Sequence, residues 1–191
     1  MSLASNALID LEYYRTVVQI DDSATFNSGA IESLINQASQ MIETECNRKF
    51  ITPSVAITEV FNGDGNRDHY VKNARIIATP TLKEWDGDSF ETTSYTFTYD
   101  QDTGRVYFTD GNVFSRGKNN WQISYTYGWT LSTVPADLKL ACVGLTSHLR
   151  LLSQKMGIVS ESFGDSSTTY DWEKNPFIQR IINDYKVVNY G

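Results

Sequence analysis

Residues Trp121 to Ala141, WQISYTYGWTLSTVPADLKLA, hold a strand, a tight corner and the entry to a helix in one short span. Ile123, Tyr125 and Tyr127 alternate with Ser124 and Thr126, which predicts a strand buried on one face. Gly128 can take a positive φ and release the chain from the sheet. Thr133 is placed to cap a helix, and Pro135 falls in its first turn, where a missing N–H costs nothing. The joint carries no catalytic side chain, which points to a protein that works by shape.

Upstream, Ile31, Leu34, Ile35, Ala38, Met41, Ile42 and Cys46 recur at helical spacing after Ser28, the expected N-cap, while Glu32, Asn36, Gln40, Glu43 and Asn47 take the other face. A shorter helix is expected over 7–18, before Asp21-Asp22-Ser23, and the long one over 28–48. From 55 to 129 the period drops to two. Runs rich in β-branched and aromatic residues are separated by turn signals at Asn62–Gly65, Asp86–Asp88, Asp100–Gly104 and Asp110–Asn112. Tyr99 and Arg105 should bracket a hairpin. This predicts about five antiparallel strands between helices, an α+β chain.

Downstream of the opening stretch, Leu138, Ala141, Cys142, Leu145, Leu149 and Leu152 line a third main helix, expected over 134–156. The small, polar residues beyond Gly157 read as a linker. Asn175-Pro176 then opens a final helix with Phe177, Ile178, Ile181, Ile182 and Tyr185 on one side. Such a helix is either a docking arm or one folded back on its own core. The expected organisation is therefore a domain over 1–157, with a linker and C-terminal helix over 158–191.

The chain has 191 residues and a net charge of −7, which argues against an electrostatic grip on nucleic acid. Residues 1–54 hold 7 acidic and 3 basic side chains, whereas 132–191 hold 6 of each, so the acidic bias lies in the front part. Cys46 and Cys142, each among apolar neighbours on a predicted helix, are expected as buried free thiols of a protein made in a reducing cytoplasm. The N-terminus lacks a signal-peptide pattern, and no run is long enough for a membrane span.

Asp64-x-Asn66-x-Asp68 and Asp100-x-Asp102 resemble the start of calcium loops but lack glycine at the sixth position and glutamate at the twelfth. They read as turn-capping acids. His69 and His148 have no metal-ligand spacing around them, and there is no nucleophile elbow, phosphate loop or dinucleotide fingerprint. No catalytic, cofactor or metal residues are assigned, and an enzyme is not expected. Of the eleven tyrosines and four tryptophans, six and three fall in the sheet region, where most are expected as core and cross-strand pairs.

Two segments carry a family resemblance. IESLINQASQMIETECNRKF (Ile31 to Phe50) and ISYTYGWTLSTVPADLKLACVGLTSHL (Ile123 to Leu149) are similar to the early helix and the strand–corner–helix entry of the head–tail connector proteins of tailed bacteriophages. Thr79-Pro80-Thr81-Leu82 and Gly104-Arg105-Val106 sit where that family has its intervening strands. The resemblance implies a non-enzymatic virion protein of the head–tail interface, assembled in the host cytoplasm without a cofactor. It implies a homo-oligomeric ring, typically a dodecamer, beneath the portal protein. Such a ring extends the channel through which DNA passes without sequence-specific binding, and meets a neck, tail-completion or stopper protein.

On that reading Trp172, Phe177, Ile178, Ile181, Ile182 and Tyr185 would dock on the portal, and Asp21, Asp22, Glu43 and Glu45 would face the channel. An acidic lumen repels phosphate and lets DNA slide. The rival readings are a carbohydrate- or receptor-binding β module, disfavoured by the long flanking helices, and a tail-completion or stopper protein. A hydrolase with a scattered site is more remote.

Overall fold

A computed structural model describes residues 2–19, 27–154, 160–163, 166–169 and 175–186. The architecture is α+β, as the sequence predicts. The chain forms two compact units, one of residues 1–51 with 130–191 and one of residues 52–129.

The first unit holds the helices α1 (Leu11–Val18), α2 (Ser28–Cys46), α3 (Ala136–Gln154) and α4 (Pro176–Tyr185), and the strands β8 (Ser160–Phe163) and β9 (Ser166–Thr169). Its helix ends are set by polar caps. Asp10 accepts from Tyr13 N at 2.7 Å, so α1 begins at Leu11, and residues 7–9 form a buried lead-in rather than the first helical turn. Asn27, one residue ahead of the expected Ser28, caps α2 by accepting from Ala30 N at 3.0 Å. Asn47 takes φ 51° and stops α2 short of residue 48.

At the entry to α3, the Pro135 carbonyl accepts from Lys139 N at 3.0 Å. Thr133 instead closes a turn, its Oγ1 accepting from Thr130 N at 3.1 Å. The helix is described to Gln154, and the expected last residues, 155 and 156, lie outside the described residues. Residues 160–163 and 166–169 pair as an antiparallel hairpin inside the segment expected to be a linker.

α2 packs on α3, α1 lies against both, and α4 lies against α2 and α3. The core they share contains Leu8, Tyr14, Ile35, Ala38, Ile42, Cys46, Phe50, Leu138, Cys142 and Leu145. Cys46 and Cys142 are free and buried, as expected, and burial pushes each thiol up to about 11.

The second unit has seven strands rather than about five: β1 (Ile57–Gly63), β2 (Asp68–Tyr70), β3 (Thr81–Trp85), β4 (Phe90–Thr92), β5 (Phe97–Tyr99), β6 (Arg105–Phe108) and β7 (Gly117–Tyr125). They form two antiparallel sheets, in the orders β1-β7-β3-β4 and β2-β6-β5. Trp121, Ile123 and Tyr125 of β7 point inward with Leu82 of β3 and meet Val106 and Phe108 of β6 in one cluster with Phe114. The expected hairpin is present: Tyr99 pairs with Val106, and Asp100 N donates to Arg105 O at 2.8 Å.

Strand β7 leaves the sheet as the opening stretch predicts. Tyr127 bridges to Ile76, and Gly128 takes φ 89° while its N–H donates to Arg75 O at 3.0 Å. The Arg75 guanidinium returns a bond to the Gly128 carbonyl at 2.6 Å and lies 4.9 Å over the Trp129 ring. In β1, the register shifts between Phe61 and Gly63, and a Cβ on Gly63 would sit 1.8 Å from Ser115 O. Only glycine fits there.

Candidate assembly surfaces

The residues expected at the portal separate by burial. Asn175 caps α4, accepting from Phe177 N at 3.1 Å and Ile178 N at 3.4 Å, and Pro176 follows at the first position. The amphipathic face so positioned turns inward. Ile178, Ile181 and Ile182 are 2%, 5% and 2% exposed, and the carbonyl of Ile182 accepts from Cys46 Sγ at 3.6 Å.

Tyr185 meets Phe50 edge-on, with ring centroids 5.8 Å apart, and donates to Asp137 at 3.0 Å. Burial, then the bond to Asp137, pushes the Tyr185 phenol up to about 12. The three isoleucines thus fill this subunit's own core, and α4 is the folded-back helix of the two alternatives. Phe177 remains 48% exposed and is the described member of the set that can meet another protein. Trp172 lies outside the described residues.

The acidic set divides too. Glu43, expected at the channel, is 3% exposed. Its Oε2 accepts from Asn6 Nδ2 at 2.8 Å and Lys49 Nζ at 2.7 Å, and its Oε1 from Phe50 N at 3.4 Å. A carboxylate so enclosed ties the N-terminal segment to the end of α2 and cannot line a channel. Glu45 is exposed on α2; Asp21 and Asp22 lie outside the described residues. Residues expected on two different surfaces, Glu43 and Tyr185, therefore converge on Phe50 in one interior.

The acids of the sheet unit close turns, as their sequence predicts. Asp86 accepts from Asp88 N and Ser89 N, both at 2.8 Å, and Asp100 from Asp102 N and Thr103 N, both at 3.0 Å. Hydrogen bonds from the N–H groups of Ser89, Thr103 and Thr96 hold Asp86, Asp100 and Asp110, respectively, below the usual carboxylate range. Asp68 differs, since it sits on β2 and pairs with Arg105 Nε at 3.0 Å. Among the described residues, no three His, Cys, Asp or Glu gather as metal ligands.

His69 stacks on Phe61 with ring centroids 3.6 Å apart, and burial lowers its pKa to about 4, so it is neutral at physiological pH. His148 is half-buried on α3, as its apolar neighbours predict. No helix among the described residues is long and apolar enough to cross a membrane.

Several surface and interior features escaped the sequence reading. The Tyr125 hydroxyl donates to Glu59 and accepts from Asn73 N at 3.1 Å, a buried polar link beside the aromatic cluster. At the expected Asp86–Asp88 turn, what went unread is the short return strand β4 and the 44% exposure of Trp85 beside Phe90, the rings 5.2 Å apart. On the other sheet, Arg67, Arg105, Tyr107, Phe108 and Thr109 line an open cleft of about 370 Å³. Cross-strand register could have signalled the cleft, since Asp68 pairs with Tyr107 and Tyr70 with Arg105.

Apart from Glu45, exposed on α2, the acidic groups described above close turns or tie segments together. A model of the family described as Head completion protein, HCP, matches residues 7–188, and the chain belongs to that family, a structural component of the head–tail connection. No curated protein matches the chain.

Among solved structures, the fold is similar to a chain in the neck of an empty gene transfer agent particle computed with C6 symmetry. That likeness has a TM-score of 0.65 and 14% identity, and covers 100% of this chain and 95% of that one. A chain in the neck of the native particle computed with C12 symmetry gives 0.59 and 16%, covering 100% and 94%. One in the virion of the native particle gives 0.60 and 14%, covering 100% and 95%.

Proposed function

We propose that this chain assembles as a ring beneath the portal protein, extends the DNA channel, and presents a platform to a neck, tail-completion or stopper protein. The observation that carries this is the family match over residues 7–188. The fold it shares with chains from neck particles computed with C6 and C12 symmetry supports a ring and fits a dodecamer. Free, buried Cys46 and Cys142 fit assembly in the reducing host cytoplasm.

DNA passes through the lumen without sequence-specific binding, in keeping with a net charge of −7. Exposed Glu45, with Asp21 and Asp22, is assigned to that lumen. Residues 158–191 form the portal-docking part, with Phe177 and Trp172 as anchors, while the isoleucines of α4 hold the helix in place.

Electron microscopy of the chain alone and with its portal tests this reading. A ring added below the portal supports it, and density for residues 175–186 against the portal supports the docking assignment. A ring that contacts only a tail component would make the chain a stopper. A monomer in both samples would overturn the ring and send the exposed aromatics to a glycan screen.

A further inference from the structure

The sheet unit carries two surfaces of opposite character on different sheets. One is the β3–β4 hairpin, an acidic and aromatic finger. Asp86, Asp88 and Glu91 are exposed at its end, Gly87 has no atom within 4 Å of where a Cβ would stand, and Trp85 is uncovered. Backbone N–H groups, that of Ser89 first, bond the Asp86 carboxylate and hold it below the usual carboxylate range. The other is the open cleft of about 370 Å³ on the β2-β6-β5 sheet, flanked by two guanidinium groups.

In the cleft, Arg105 spends its Nε on Asp68 and lies 4.7 Å over the Tyr107 ring, while Arg67 donates to Phe108 O at 3.3 Å. Each guanidinium carries five N–H donors in a planar fork suited to a carboxylate, so most of them remain for an incoming acid. Tyr70, 59% exposed on β2, extends this basic and aromatic surface.

We propose that the cleft of one copy receives the Asp86–Asp88 finger of a second copy, making this pair a subunit–subunit contact of the ring. The inference rests on the ring reading above. A closed ring needs a heterologous interface, in which two different patches of each subunit meet. The finger and the cleft are such a pair: carboxylates meet guanidinium groups, and Trp85 brings an aromatic face on which a guanidinium can stack. A DNA phosphate is the other anion the cleft could take, but a channel that lets DNA slide gains nothing from gripping it.

The test is a charge-swap pair chosen to spare the fold. Arg67→Glu alters the cleft without touching the Asp68–Arg105 pair. Asp88→Arg alters the finger without removing the Asp86 side chain that closes the turn. Ring formation by the full chain, with and without its portal, is followed by mass photometry and microscopy, and circular dichroism checks folding. Each variant alone should need about tenfold more protein to assemble.

A mixture of the two should recover wild-type assembly. In a ring of alternating copies, one junction keeps the native Asp88 and Arg67 together, and the next brings the two reversed charges together. Wild-type rings with both single variants unimpaired would overturn this contact and leave the ring reading standing. Unimpaired rings with duplex DNA binding lost in R67E would give the cleft to phosphate and overturn it as well. A wild-type chain that never forms a ring would overturn the ring reading, and this contact with it.

Discussion

Removing α4 should bring the helical unit to the edge of unfolding rather than only undock it. Three isoleucines of α4, Ile178, Ile181 and Ile182, are at most 5% exposed. Burying each contributes about 1.5–3 kcal/mol, or roughly 5–9 kcal/mol together. The Phe50–Tyr185 edge contact adds about 0.5–1.5 kcal/mol. Those figures use an extended reference chain, and a more compact denatured state lowers them to roughly 4–8 kcal/mol. A domain has only about 5–15 kcal/mol in all, so deleting residues 175–191 should bring the unit to the edge of unfolding.

Urea titration followed by far-ultraviolet circular dichroism reads this directly. Ile182→Ala should lower stability by about 2–5 kcal/mol, and the deletion by more. Phe177→Ser, at a side chain 48% exposed, should stay within about 0.5 kcal/mol of wild type. Portal docking can therefore be tested with Phe177→Ser, whereas a truncated protein that fails to dock has an ambiguous cause. A deletion variant with full helical signal and an unshifted midpoint would refute the assignment of α4 to the subunit's own core.

Four further outcomes are expected. Gly63→Ala should cost about 3 kcal/mol in the same titration, because its Cβ would meet the Ser115 carbonyl, a backbone atom that cannot swing aside. Tyr125→Phe should cost about 1–3 kcal/mol by removing the bonds to Glu59 and Asn73; an unchanged midpoint would show that the link carries no net stability. His69 has a folded pKa of about 4 against about 6.5 unfolded, so the unfolded chain binds the extra proton between those values. Its contribution should be flat above about pH 6.5 and be lost as pH falls toward 4, and His69→Phe should remove that slope from stability measured across the window. Cys46 and Cys142, both pushed up to about 11, should resist a thiol reagent near neutral pH and react once urea exposes them.

What the sequence made legible divides by the range of the interaction. The turn acids at Asp86 and Asp100 were readable because each bonds N–H groups two or three residues ahead, all within the motif. The β7 corner was readable because Gly128 and Pro135 act on their own backbone. The strand count was not, since the two extra strands, β2 and β4, have three residues each, too few for alternation to rise above the turns around them.

Glu43 shows why the site assignments were harder. It lies on the flank of the α2 stripe, four residues after Ser39 and three before Cys46, where period alone allows either face. What buries it is the N-terminal segment: Asn6 reaches its carboxylate, and Leu8 N donates to Ser39 Oγ at 3.0 Å. That partner is more than thirty residues away and leaves no trace in the local pattern. The α4 stripe is ambiguous for a related reason, because a helix face that meets its own core and one that meets a partner obey the same spacing. Only the packing separates the spent face from the free one. It leaves Phe177 outside on the helical unit, and on the sheet unit an acidic finger and a basic cleft, so contacts with other subunits should be sought there and not on the isoleucines.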